Sequence, residues 1–125
     1  MSDDPKPDGR KNKRPSAWVY FIQAGGADGP IKIGIAGNEY ERALQLQTAH
    51  YEELRVLGFV PLSDYSEKDF HRWYAEHRIR GEWFRPGPEI LKFITTRAYK
   101  LKRYENGKPV EIQTVAQYFG GRTGR

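Results

Sequence analysis

The sequence predicts a mixed α/β (α+β) domain: a small, largely antiparallel three-stranded sheet flanked by helices, with a C-terminal β-hairpin. Three observations predict this fold. Aromatic and β-branched runs flank a Gly-rich turn near the N-terminal end, two capping-box patterns introduce amphipathic segments, and Asn106-Gly107 separates two alternating runs. The 125 residues suffice for one hydrophobic core, and the lack of cysteine excludes a disulfide scaffold, a thiolate nucleophile and cysteine-type zinc sites.

The first two strands are predicted to form a hairpin. Residues 18–22 are aromatic and β-branched, residues 24–30 are rich in Gly, and residues 31–35 alternate isoleucine with Lys32 and Gly34. We expect the three isoleucines to pack inward. The bare backbone at Gly34 predicts that another group approaches it closely.

Capping boxes predict where the first two helices begin. Asn38 with Glu41 begins a helix that runs to about residue 49, and Asp64 with Glu67 begins a second that runs through residue 78. A third strand over 54–62 lies between them. The side chains at helical spacing on the second helix are predicted to be buried: Phe70, Trp73, Tyr74 and His77.

The remaining elements follow from local patterns. Trp83 and Phe84 are expected to close the sheet by hydrophobic packing rather than to stack on bases. A third helix over 89–97 is predicted to bury Ile90, Leu91, Phe93 and Ile94. We therefore predict four parts: a disordered basic N-terminal tail (1–16), a main domain (17–97), a hairpin extension (98–119) and a flexible tail (120–125).

Charge is unevenly distributed along the chain. Residues 18–96 contain nine basic and eleven acidic side chains, a net −2, whereas residues 97–125 contain seven and two, a net +5. The basic ends could hold a phosphate backbone or could simply make the chain soluble. The apolar runs are shorter than the ~20 residues of a membrane helix. We expect a cytoplasmic, nucleoid or nuclear protein that is neither secreted nor membrane-bound.

Each candidate functional residue has an ordinary structural explanation when it is considered alone. Tyr20 could pack in a strand, Lys32 could be a solvated lysine, and Arg42 could form a surface ion pair. Glu67 could be a capping-box carboxylate. His50 could contact the end of a helix, and His71 could contact a neighbouring side chain one turn away.

The order of these residues resembles that of the GIY-YIG endonuclease superfamily over most of residues 17–94. The matching segments are Trp18-Val19-Tyr20, Lys32-Ile33-Gly34, the helix arginine Arg42 and the metal-binding glutamate Glu67. Residues 46–50, the segment from Glu67 to His71, and Gly81-Glu82-Trp83-Phe84 look like the short branch first described among phage and meiotically upregulated proteins. In this chain Lys32 replaces the second motif tyrosine, Trp18 replaces the first glycine, and Glu82 is nearest to the usual asparagine.

This resemblance implies a divalent-metal-dependent endonuclease that hydrolyses nucleic-acid phosphodiester bonds, with DNA as the favoured substrate. Tyr20 would activate water, with Lys32 nearby favouring its phenolate form, and Arg42 would grip phosphoryl oxygens. Glu67 would hold Mg²⁺ or Mn²⁺, with His71 on the same helix face. The predicted nucleic-acid contacts are Lys32, Arg42, His50, Lys100, Lys102 and Arg103.

Two alternatives remain open at this stage. The chain could be a catalytically degenerate nuclease fold that only binds nucleic acid through its basic ends. It could also be a protein-interaction adaptor whose contact surface is formed by Trp18, Trp83 and the hairpin over 99–114.

Overall fold

A computed structural model describes residues 17–38, 42, 45–47, 52–114 and 117. The elements of this part are β1 (Trp18–Gln23), β2 (Ile31–Ala36), β3 (Arg55–Pro61), α1 (Glu67–Trp73), a 3₁₀ turn (Ala75–His77), β4 (Arg78–Arg80), β5 (Trp83–Phe84), α2 (Pro88–Arg97), β6 (Lys102–Glu105) and β7 (Lys108–Glu111). Residues 42, 45–47 and 117 are also helical. The fold is mixed α/β, as predicted.

The main sheet has the strand order β3-β1-β2-β5-β4, and each of its pairs is antiparallel. It is larger than the three-stranded sheet that the sequence predicts. The two additional strands, β4 and β5, contain three and two residues, so they are too short to produce a recognisable alternation. They extend the sheet beyond β2 and thereby bring the segment between them to the β2 edge.

Strand β1 lies between β3 and β2, and all six of its residues are buried. Val19 and Phe21 face the side on which α1 and α2 pack. Tyr20 faces the opposite side, where the core includes Leu101 and Ile112 from the C-terminal segment. Both faces of the sheet are therefore covered, and Tyr20 is held on a strand that is paired on both sides.

The N-cap of helix α1 lies two residues after the predicted cap, Asp64. Ser66 is the N-cap: its hydroxyl accepts a hydrogen bond from Asp69 N (3.1 Å), and the Asp69 carboxylate accepts one from Ser66 N (3.2 Å). The prediction of a capping box formed by Asp64 and Glu67 is therefore wrong. Glu67 is the first residue of the helix, and its carboxylate is not needed for capping.

The helix also ends earlier than predicted, at Trp73, and a 3₁₀ turn follows it. Trp73 is 49% exposed, so the prediction that it is buried is wrong, whereas Phe70 is fully buried. The first predicted helix is described only in part. There Arg42 N donates to Asn38 O (3.0 Å), as expected for a helix that begins at Asn38.

Two other predicted core residues are exposed. Ile35 lies beyond the two β2 residues that pair with β5, and 42% of its surface is accessible. Leu91 on α2 is also exposed, because the helix packs along the stripe formed by Ile90 and Ile94. The spacing of these two buried residues, four apart, is that of a single helix face.

The C-terminal hairpin is present, formed by β6 and β7. Asn106 and Gly107 both have positive φ (54° and 79°), as a tight hairpin turn requires. The hairpin is tied to the core, because Leu101 and Ile112 are buried and Ile112 N donates to Leu101 O (3.0 Å). The predicted domain boundaries remain predictions, and the two predicted tails lie outside the described residues. None of the helices in the described part is long and apolar enough to cross a membrane.

Candidate active site at the edge of strand β2

The site begins with a close approach between Tyr20 and Gly34, which are paired across β1 and β2. A Cβ atom at Gly34 would lie only 2.4 Å from Tyr20 Oη and 3.1 Å from Glu82 Oε1. Only glycine therefore leaves room for the phenol at this position, as the sequence predicted for an approaching group. The same absence of a side chain allows the Glu82 carboxylate to reach this space.

The phenol oxygen of Tyr20 is the unusual atom in this arrangement. Tyr20 is only 2% exposed, and its Oη is buried with no hydrogen-bond partner among the described residues. Buried hydroxyl groups nearly always have a partner, so an unsatisfied one is a reason to look for a bound group.

Lys32 and Glu82 form an ion pair beside this phenol. Lys32 Nζ lies 3.0 Å from Glu82 Oε1 and 5.5 Å from the centre of the Trp83 ring. The position of Glu82 is fixed by the main chain, because its carbonyl accepts a hydrogen bond from Ile33 N (2.9 Å). The lysine is therefore directed into the site by a neighbouring strand rather than left in solvent.

Glu67 reaches the same cluster from the first turn of α1. Burial, followed by its contact with the Glu82 carboxyl, raises the pKa of Glu67 to about 7. Burial alone would also raise the pKa of Glu82. Its hydrogen bonds with Glu67 and Lys32 outweigh burial, however, and its pKa is lower than usual. The contact between the two carboxyl groups therefore favours protonation of Glu67 over protonation of Glu82.

His71 lies one helical turn after Glu67, as predicted. Its Nε2 atom is 3.5 Å from Glu67 Oε2 and 3.4 Å from the carbonyl oxygen of Ile33. The imidazole packs edge-on against Phe84, with ring centres 5.0 Å apart. These contacts hold His71 between α1 and β2, at the side of the carboxyl pair.

Arg42 lies beside the Tyr20 ring. Its guanidinium carbon lies 5.9 Å from the centre of the Tyr20 ring, within cation–π range. One guanidinium nitrogen donates to Gln45 Oε1 (3.5 Å), whereas the buried Nε atom has no partner within the described part of the chain. The guanidinium thus retains hydrogen-bonding capacity next to the unsatisfied phenol.

The structure therefore brings together five sequence-predicted residues: Tyr20, Lys32, Arg42, Glu67 and His71. It adds Glu82, which was absent from the predicted site. The only sequence signal for Glu82 was its place in the Gly81-Glu82-Trp83-Phe84 segment, nearest to the family's asparagine. Glu82 lies in the turn between β4 and β5 and contacts β2 and α1, so its contacts could not be inferred from local spacing.

The other predicted nucleic-acid contacts lie elsewhere. Lys100 Nζ donates to the main-chain oxygens of Leu57 and Ile94 (3.2 Å each), which occupies its ammonium inside the fold. Arg103 pairs with Glu105 and donates to Gln117 O (2.9 Å), and Lys102 is exposed on β6. His50 falls outside the described residues.

Two carboxyl groups of the cluster offer oxygen atoms to a divalent cation. Glu67 Oε2 is buried and lacks a hydrogen-bond partner in the described part, and Glu82 presents a second carboxylate beside it. Carboxylate oxygens suit Mg²⁺, which commonly takes one or two of them and completes its shell with water and substrate. No group of three or more His, Cys, Asp or Glu side chains in the described ranges is arranged to hold a metal. The two carboxyl groups thus suit a cation that takes its remaining ligands from water and substrate.

Comparison with family models, with curated protein sequences and with solved structures gives no match to this chain.

Proposed function

We propose that the chain is a GIY-YIG-type endonuclease that hydrolyses nucleic-acid phosphodiester bonds, with DNA as the favoured substrate. The observation that supports this most strongly is the convergence of Tyr20, Lys32, Arg42 and Glu67 around one space at the β2 edge. Phosphodiester hydrolysis needs a proton acceptor for water and positive charge near the phosphoryl oxygens. The cluster contains both, although its members are far apart in the sequence.

Each side chain has a role in this proposal. The Arg42 guanidinium binds two non-bridging oxygens and fixes the phosphate in place. The phenol oxygen of Tyr20, which has no partner in the described part, orients the attacking water and receives its proton. Lys32 adds positive charge beside the phosphate. His71 holds the Glu67 carboxyl in position through their 3.5 Å contact.

Glu67 is the proposed ligand for Mg²⁺ or Mn²⁺. A divalent cation held there would stabilise negative charge on the phosphoryl oxygens and on the departing alkoxide. The capping geometry supports this role, because Asp69 performs the capping function that would otherwise explain a glutamate near the start of α1. The Glu67 carboxylate is therefore available to a ligand.

The direct test is to incubate the purified chain with single- and double-stranded DNA and RNA in Mg²⁺ or Mn²⁺. We expect cleavage that EDTA abolishes and that Glu67→Gln reduces by about 100-fold or more. Glu76→Gln is the matched control, because Glu76 is exposed on the 3₁₀ turn and outside the cluster. If wild-type protein and Glu67→Gln leave every substrate equally intact with both metals, the proposal is wrong.

The second candidate is a nucleic-acid-binding fold without catalysis, and the net +5 of residues 97–125 favours it. Lys102 and Lys108 are both exposed on the C-terminal hairpin. This candidate predicts salt-sensitive binding that survives Glu67→Gln and falls in a Lys102→Gln/Lys108→Gln variant. Substitution is preferable to truncation here, because deletion would also remove the buried Leu101 and Ile112.

The adaptor alternative loses part of its proposed surface. Trp18 is 8% exposed and belongs to the core, so it cannot contribute a contact surface. Trp83 is half-buried and packs against the same cluster. The hairpin part of that surface is accessible, because Tyr99, Tyr104 and Val110 are exposed.

A further inference from the structure

Glu82 contacts two charged groups of the candidate site, Lys32 and Glu67. Its Oε1 atom is 3.0 Å from Lys32 Nζ, and its carboxyl group contacts that of Glu67. The same oxygen lies 3.1 Å from the point where a Gly34 Cβ would be, and Tyr20 Oη lies 2.4 Å from that point. Glu82 therefore borders the same space as the unsatisfied phenol.

We propose that Glu82 is a second carboxylate ligand of the divalent cation assigned to Glu67, and that the Lys32 ammonium takes the place of that cation until it binds. This inference rests on the proposed function. Two facing carboxyl groups need compensating positive charge, and in the metal-free chain the 3.0 Å ion pair with Lys32 supplies it.

The unsatisfied phenol oxygen of Tyr20 supports a ligand at this point independently of the acidic pair. Tyr20 Oη belongs to a side chain that is 2% exposed, and Glu67 Oε2 is also buried. Neither has a hydrogen-bond partner within the described residues. Hard oxygen atoms that lack partners around one space are suited to a hydrated Mg²⁺ or Mn²⁺, whose bound waters can donate to them.

The replacement of the Lys32 ammonium by the cation has a consequence for the order in which cation and nucleic acid bind. Glu67 and Glu82 would hold the cation together, and Glu82 would then no longer be available to the Lys32 ammonium. Lys32 would then keep its contact with the Trp83 ring, 5.5 Å away, and could turn to a substrate phosphate. The lysine therefore becomes available to nucleic acid after the cation has bound.

The test measures Mn²⁺ binding to the full chain without nucleic acid, by the loss of the free-ion electron paramagnetic resonance signal. We expect Glu82→Gln, which keeps the size of the side chain, to weaken binding about tenfold or more. Lys32→Gln should strengthen binding several-fold, because it removes the competing cation. The controls are Glu76→Gln and Lys68→Gln; Lys68 is exposed on α1 directly after Glu67. Both controls should bind Mn²⁺ as the wild type does.

Wild-type affinity in Glu82→Gln, weaker binding in Lys32→Gln, or no Mn²⁺ binding by the wild type would each overturn the inference. If Lys68→Gln strengthened Mn²⁺ binding as much as Lys32→Gln, the result would show only a general effect of charge. The proposed replacement of the Lys32 ammonium by the cation would then be wrong. If circular dichroism shows that Glu82→Gln is unfolded, Glu82→Asp replaces it, with the same expected direction.

The two proposals can fail separately in these experiments. Mn²⁺ binding that needs both glutamates, without cleavage of any nucleic acid, would leave the site as a metal centre and refute the nuclease. Cleavage could need Glu67 while Glu82→Gln binds Mn²⁺ with wild-type affinity. That result would support the proposed nuclease and refute Glu82 as a second metal ligand.

Discussion

Substituting Gly34 with alanine tests the geometry of the site without changing a charge. The new Cβ would lie 2.4 Å from Tyr20 Oη and 2.6 Å from Tyr20 Cζ, below the 3.0 Å limit that real Cβ contacts respect. The phenol would have to move by about 0.6 Å, but Tyr20 is 2% exposed and has little space. Overpacking of this kind costs ~1–3 kcal/mol, and loss of glycine flexibility in the unfolded chain recovers ~0.4–1 kcal/mol. We expect a net loss of about 1–2 kcal/mol.

Urea unfolding followed by circular dichroism, in wild-type and Tyr20→Leu backgrounds, measures this effect. Leucine lacks the ring carbon and hydroxyl that meet the new methyl group, so Gly34→Ala should cost much less in that background. Gly81→Ala is the control: Gly81 has φ +54° with nothing within 4 Å, so its cost of about 1 kcal/mol should be the same in both backgrounds. Equal costs of Gly34→Ala in the two backgrounds would refute the close approach.

Three further predictions concern stability. Because the pKa of Glu67 rises from 4.5 to about 7 on folding, its contribution to stability is complete below about pH 4.5 and is lost as the pH rises through 7. In urea titrations without metal, the free energy of unfolding should fall by roughly 1–2 kcal/mol between about pH 5 and 8. Glu67→Gln should remove this fall. Ser66→Ala should lower the free energy of unfolding by about 1 kcal/mol and Asp64→Ala by little; the reverse order would contradict the observed cap. Lys100→Met should cost about 1–2 kcal/mol in the same assay because two main-chain oxygens lose their donor, whereas Lys108→Met should be near neutral.

The sequence predicted those parts of the fold that depend on local patterns. The positions of β1, β2, β3 and α2 and the Asn106-Gly107 turn follow from alternation, helical spacing and turn residues. The prediction was wrong where long-range packing decides the outcome. Ile35 continues the alternation of β2 but lies beyond the paired segment of β5, so nothing in the local pattern indicates its exposure.

The candidate site was predicted in a similar way. Tyr20, Lys32 and Glu67 were selected by their order along the chain, and the fold brings them together through β1, β2 and α1. Glu82 was missed because its role depends on the two-residue strand β5, which places it against β2. The true helix cap at Ser66 was also missed, since Asp64 and Glu67 have the same spacing as Ser66 and Asp69.

The C-terminal segment also affects when the protein can fold during its synthesis. Val56 N donates to Gln113 O (2.6 Å), and the core around β3 includes Leu101 and Ile112. One face of the central sheet therefore stays incomplete until residue 113 has left the ribosome. Until then the apolar side of β3 and part of its backbone are open to other chains. We expect the last folding step to follow translation of this segment, so that a nascent chain would complete its core only after the whole cluster around Tyr20 has been made.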